Sequence, residues 1–133
     1  MPRSRPPIVI ALVGWTALVW TTRIGNIWRD HALDTGEKLG RTALALSFSA
    51  LAVVVLVALV RRTTWLAPAV VALAGWTTAV WIVRSVGIAT GDHEGAFIVV
   101  HLVLAAVSIG LSGAAMRHLK GSDRDRVPAS RHR

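Results

Sequence analysis

Residues 7–23 read PIVIALVGWTALVWTTR and residues 68–84 read PAVVALAGWTTAVWIVR; a gapless shift of 61 positions superposes ten identical residues out of seventeen. The matches include Pro7/Pro68, Gly14/Gly75, Trp15/Trp76, Thr16/Thr77, Trp20/Trp81 and Arg23/Arg84. Apolar composition alone can pair Val with Val and Ala with Ala, but it does not pair two tryptophans and an arginine. One residue of extra shift then brings Gly25 over Gly87 and Asp30-His31 over Asp92-His93. The segments that follow each copy match only weakly. The pattern predicts that one helical hairpin has been duplicated, with halves at 7–60 and 68–116.

Up to its final Arg, each quoted stretch also lies in an uncharged run. Pro6–Thr22 has 17 such residues, Thr42–Val60 has 19, Thr63–Val83 has 21, and Gly95–Met116 has 22 with His101 its sole ionisable group. A helix rising 1.5 Å per residue needs about 20 residues to cross a hydrocarbon core of roughly 30 Å. The fold class expected is therefore an all-α membrane protein with transmembrane helices near 7–24, 42–60, 64–83 and 96–116. Arg3 and Arg5 before an apolar run imitate a signal peptide, but Thr21-Thr22-Arg23-Ile24-Gly25 lacks a small-x-small cleavage pattern, so an uncleaved first helix is expected.

Lys and Arg outside the runs set the expected orientation. The N-terminus holds two, the Arg61–Arg62 turn two and the stretch after Met116 six, against five at Arg23, Arg29, Lys38, Arg41 and Arg84. Both termini are thereby expected in the cytoplasm, in a bacterial plasma membrane. Spans one and three then run the same way, which makes the repeats parallel and related by a pseudo-two-fold axis along the membrane normal. An excess of 13 Arg over 2 Lys, with abundant Ala and Val, suggests a GC-rich bacterial gene.

Composition narrows the function classes. A net charge of +8 in a chain that is 53% hydrophobic does not describe a nucleic-acid binder, because the basic residues sit in short clusters between apolar runs. With no cysteine there is no disulfide, thiolate zinc site, iron–sulfur cluster or cysteine nucleophile. No Asp, Glu or Lys lies within a run, whereas proton-coupled export needs an embedded carboxylate. Haem held between spans needs two axial ligands and only His101 lies within one; Ser47 and Ser49 have no neighbouring base. No cofactor and no enzymatic activity are expected.

Several residues remain candidates. Trp20 with Arg23 and Trp81 with Arg84 share a helix face near a span end, either as an aromatic belt with a snorkelling cation or as an anion-binding mouth. Trp15 and Trp76 lie near mid-depth, where an indole N–H needs an acceptor; they would pack against Gly14 and Gly75 of the other half, or wall a hydrophobic ligand such as a quinone or lipid. His101 is a functional candidate because it is ionisable inside a span. His31, Asp34, His93 and Glu94 have the chemistry of zinc ligands, although Asp92 and Glu94 also suit a helix N-terminus. Ala106, Gly110 and Ala114 form a small-residue stripe that would pack inside the bundle or form a homodimer seam. The tail 117–133 is basic and polar, expected to be disordered and attractive to anionic lipid headgroups. The expected task is that of an accessory or assembly component with a membrane-protein partner or second copy. A small anion channel or carrier and a metal- or pH-responsive sensor are its rivals.

Overall fold

The computed structural model describes residues 5–124. They form an all-helical structure of four helices: α1 Pro7–Arg29, α2 Thr35–Arg61, α3 Leu66–Thr90 and α4 Gly95–Arg124. Each is long and apolar enough to cross a membrane. Short connections make neighbours antiparallel. α1 packs on α2 and α4, and α3 packs on the same two, so the helices form a ring with α1 diagonal to α3. The α1–α2 and α3–α4 connections share one end, called here the loop end. The α2–α3 turn lies at the other.

Local signals explain the boundaries. Pro7 opens α1, where its fixed φ suits a helix and its missing N–H is no loss. Asp30 closes it: its N–H bonds back to Asn26 and Ile27, while its carboxylate accepts from Ala32 N at 2.9 Å. α2 starts with a capping box in which the Asp34 carboxylate accepts from Glu37 N at 2.8 Å and Glu37 accepts from Asp34 N at 3.4 Å. It ends at Arg62, which takes the left-handed conformation (φ 52°, ψ 43°) and donates its N–H to Ala58 O. Gly91 lets His93 fold back, since a Cβ there would lie 2.7 Å from the His93 ring and 3.0 Å from Gly87 O.

The helices outrun the uncharged runs at several ends. α1 and α3 continue six residues past Arg23 and Arg84, to Arg29 and Thr90, because a charged side chain does not interrupt a helix. The expectation of a disordered tail from residue 117 is corrected as far as Arg124: this segment extends α4, with Leu119 against the core and Ser122 Oγ donating to His118 O. Residues 125–133 of that tail, with Arg126, Arg131 and Arg133, lie outside the described residues, as does Arg3.

The outer surface is the reverse of a water-soluble bundle's, and a few hydroxyls lie inside. Large apolar side chains point outward, Val83 at 72% and Leu18 at 62% exposure, while Thr16, Thr77, Ser108 and Ser112 are buried. That distribution suits a bilayer, where apolar surface costs nothing outside and polar groups find partners inside. The core joins Val9, Leu12 and Trp20 of α1 to Phe48 and Val55 of α2 and Leu73 of α3.

Candidate functional site

The buried faces of α1 and α3 carry the same three residues at the same spacing. Thr16, Trp20 and Arg23 occupy one face of α1; Thr77, Trp81 and Arg84 occupy the corresponding face of α3. Spacings of four and three residues keep each set in line, rising from the middle of the bundle towards the loop end. Thr16 and Thr77 are inside, at 3% and 2% exposure.

One turn higher, Trp20 and Trp81 meet. Their ring centroids are 6.3 Å apart, and Trp20 stacks on Phe48 at 3.9 Å. Phe48 is also 6.0 Å from Trp76. Trp20, Phe48 and Trp81 are almost wholly buried, so the three rings form a floor across the bundle. Trp20 and Trp81 therefore face inward and do not form a lipid-facing aromatic belt, which corrects that half of the sequence reading. The mid-depth pair is the peripheral one: Trp15 is half-buried and Trp76 is 40% exposed. Helical phase is the cause, because Trp15 is offset by about 100° from Thr16.

Neither peripheral tryptophan packs on a glycine. Trp15 Nε1 donates to Ser108 Oγ and Trp76 Nε1 to Ser47 Oγ, both at 2.9 Å. Gly14, Gly75 and Gly110 are exposed, and a Cβ on any of them would meet nothing within 4 Å. Ala106 is exposed and Ala114 half-buried. The stripe on α4 therefore does not pack inside the single chain; Ala105, Ser108, Ser112 and Ala115 do. The buried positions are one residue or more away from the stripe, which turns it outward.

Above the aromatic floor lie the arginines. Arg23 is within electrostatic range of Arg84 and Arg41, Arg84 of Arg41, and His101 of Arg23, Arg84 and His93. All four helices thus contribute one basic or ionisable group to this level. Arg41 was not among the candidates from sequence, since no tryptophan precedes it at the three-residue spacing that marks Arg23 and Arg84. Among the described residues the one ion pair is Arg41 with Glu37, at 3.9 Å and half-exposed. Arg23 and Arg84 have no carboxylate partner there. Arg84 Nε is shielded from solvent and makes no hydrogen bond; Trp81 Nε1, Thr77 Oγ1 and Thr42 Oγ1 share that condition.

His101 stands beside this group. Its Nδ1 is 2.9 Å from Phe97 O, and since a carbonyl only accepts, Nδ1 carries a proton and Nε2 is left for another partner. Phe97 lies between two imidazoles, 5.0 Å from His93 and 3.9 Å from His101. His31, Asp34, His93 and Glu94 are not gathered: among the described residues no three His, Asp or Glu side chains are placed to hold one ion. Asp34 is engaged as the α2 cap, and Glu94 precedes α4, its carbonyl accepting from Ile98 N at 3.1 Å.

No family model, curated protein or solved structure matches this chain.

Proposed function

We propose that the chain is a non-enzymatic, four-span protein of a bacterial plasma membrane that serves as an accessory or assembly component of a membrane complex. The observation that carries this reading is the outward placement of its small residues. Helices in a bilayer associate by close packing over Gly, Ala and Ser. Gly14, Gly75, Ala106 and Gly110 are not used by the chain's own bundle, so they are free for a helix from elsewhere. Beside Gly75 runs an apolar furrow of about 550 Å³ between α3 and α4, lined by Ala74, Gly75, Thr78, Ile82, Gly113 and Met116.

Duplication fits the packing. The donors Trp15 and Trp76 and the acceptors Ser108 and Ser47 are each 61 positions apart, and each bond crosses from one half to the other. Buried Ala45, Phe48, Ala52 and Val55 correspond to buried Ala105, Ser108, Ser112 and Ala115 at a shift of 60. A one-residue difference between the two shifts turns α4 by about 100° relative to α2. It accounts for the burial of Ser108 against the half-burial of Ser47. These relations support a pseudo-two-fold axis along the membrane normal. With the basic Arg61–Arg62 turn inside, both termini are cytoplasmic and the loop end faces outward.

Hydroxyl use supports the non-enzymatic reading. Ser47 donates to Leu44 O at 2.6 Å while accepting from Trp76, and Ser112 donates to Ser108 O at 2.8 Å. The aromatic floor weighs against a conduit through the axis, although the arginine pair favours an anion as a ligand.

The test is native mass spectrometry of the protein extracted gently from its own membrane, with Gly75→Leu and Gly110→Leu beside it. A stoichiometric protein partner that is lost on either substitution supports the proposal. A bare monomer, together with no cross-linked partner in intact membranes, overturns it.

A further inference from the structure

The arginine level at the loop end is left without a role by the assembly reading. Arg23 and Arg84 come from diagonal helices that are fixed one turn lower by the 6.3 Å contact of Trp20 with Trp81. One turn above that contact, Arg23 and Arg84 are within electrostatic range of each other. Arg41 of α2 and His101 of α4 complete the group; at the shift of 60 that relates the buried faces of α2 and α4, these two residues also correspond. Like charges held together in a partly desolvated site repel, and each loses hydration. Folding tolerates such an arrangement where an anion supplies the missing charge.

Hydrogen-bond bookkeeping points the same way. Arg84 Nε is a buried donor without an acceptor; Trp81 Nε1, three residues earlier on α3, and Thr42 Oγ1, on the residue after Arg41 in α2, share that condition. Buried donors left unpaired are costly, and what they lack is an acceptor. The carboxylate at this level, Glu37, is 3.9 Å from Arg41 on the exposed side and serves the α2 cap. It pairs with neither Arg23 nor Arg84.

Geometry selects the kind of anion. A planar carboxylate is satisfied by one guanidinium fork, whereas donors arriving from several helices suit a tetrahedral group with oxygens on every side. The group that enters must be small, whatever it is attached to outside, because the buried rings of Trp20, Phe48 and Trp81 lie beneath it. It must also enter from the loop end. Arg23 and Arg84 lie six residues below the ends of their helices, Arg29 and Thr90. At 1.5 Å per residue that is a depth of about 9 Å, within reach of the headgroup layer of a bilayer.

We propose that Arg23, Arg84 and Arg41, with His101 beside them, form a binding site for one phosphate group at the loop end of the bundle. The arginines bind the oxygens by charge-assisted bonds, and the aromatic rings set the depth at which the group stops. Free phosphate and the phosphodiester of a lipid headgroup present the same chemistry. The site needs no protein partner, so its fate is separate from that of the assembly reading.

The experiment uses the full chain in a neutral detergent. One arm titrates inorganic phosphate by calorimetry; the other looks for phosphatidylglycerol retained in native mass spectra after extraction from vesicles of phosphatidylcholine with phosphatidylglycerol. Signal in the first arm assigns a free anion, and signal in the second alone assigns a lipid. Arg23→Gln and Arg84→Gln are each expected to weaken binding roughly tenfold or more, as loss of a charge-assisted bond should. Arg29→Gln, an exposed charge at the same end, should change it less than about twofold. Arg23→Lys and Arg84→Lys keep the charge and test the fork geometry if the Gln variants do not fold. Absence of binding in both arms overturns the site. So does an Arg29→Gln loss equal to that of Arg84→Gln, or a folded Arg84→Lys with undiminished affinity.

Discussion

Trp15 on α1 donates its indole N–H to Ser108 on α4 at 2.9 Å, bridging residues 93 positions apart. Its counterpart, Trp76 to Ser47, joins α3 to α2 at the same distance. Each hairpin is closed by its own loop, but these two bonds tie the hairpins to each other. In a bilayer, water cannot replace them.

The two bonds are not equivalent, and serine removal should reveal it. Ser108 is 2% exposed, whereas the Trp76–Ser47 bond lies at the surface. Ser108→Ala leaves a half-buried indole N–H without an acceptor and is expected to cost about 1 kcal/mol, with Ser47→Ala below about 0.6. Reversible unfolding in mixed detergent would measure both. Equal losses would mean that burial does not grade these bonds.

Phe48 should be the most sensitive aromatic position. It is fully buried and stacked 3.9 Å from Trp20, so Phe48→Ala opens a cavity under the arginine level and is expected to cost about 3–5 kcal/mol. Trp65→Ala, at a side chain that is 73% exposed, should cost under about 1 kcal/mol by the same assay. Similar losses at the two positions would contradict the aromatic floor.

Arg61 and Arg62 should respond to glycine with opposite signs. Arg62 is the non-glycine residue at positive φ among those described, whereas Arg61 is the last residue of α2. Glycine takes the left-handed conformation without steric cost, so Arg62→Gly should stabilise by roughly 0.5–1 kcal/mol. Arg61→Gly should destabilise by up to about 1 kcal/mol through helix propensity. Thermal unfolding of both variants decides it; a loss at Arg62→Gly would mean that its side chain holds the turn by contacts that outweigh backbone strain.

Uncharged run length was enough to locate all four helices, yet it missed where α2 begins and where α1, α3 and α4 end. Charge marks the edge of the hydrocarbon layer, not the edge of a helix, so residues 25–29, 35–41, 85–90 and 117–124 are helical although they fall outside the expected spans. Rotational phase was harder. These helices are apolar on every side, which removes the contrast that normally shows the inward face. The usable marker was polarity itself: Thr16 and Thr77 point inward, and counting four and seven residues on from each reaches Trp20 with Arg23 and Trp81 with Arg84. Glycine was the misleading marker, since Gly14 and Gly75 face out. Ser47 and Ser108 carry the 61-residue shift into the second hairpin helices, a match obscured by the weak similarity around them.

Asp34 separates a structural role from a metal-binding one. Its carboxylate accepts from Glu37 N at 2.8 Å as the α2 cap, and that bond needs an oxygen acceptor but no charge. Asp34→Ala should therefore cost about 0.5–2 kcal/mol, while Asp34→Asn, an equally good cap, should stay near the wild type. A zinc ligand would behave otherwise, because an amide is a poor substitute for a carboxylate on a divalent ion. Thermal unfolding of both variants, with and without added zinc, distinguishes the two. Capping predicts that zinc moves neither wild type nor Asn variant. A zinc-dependent rise in wild-type stability that disappears in Asp34→Asn would return this loop to the metal-binding candidates and require it to move towards His31 or His93.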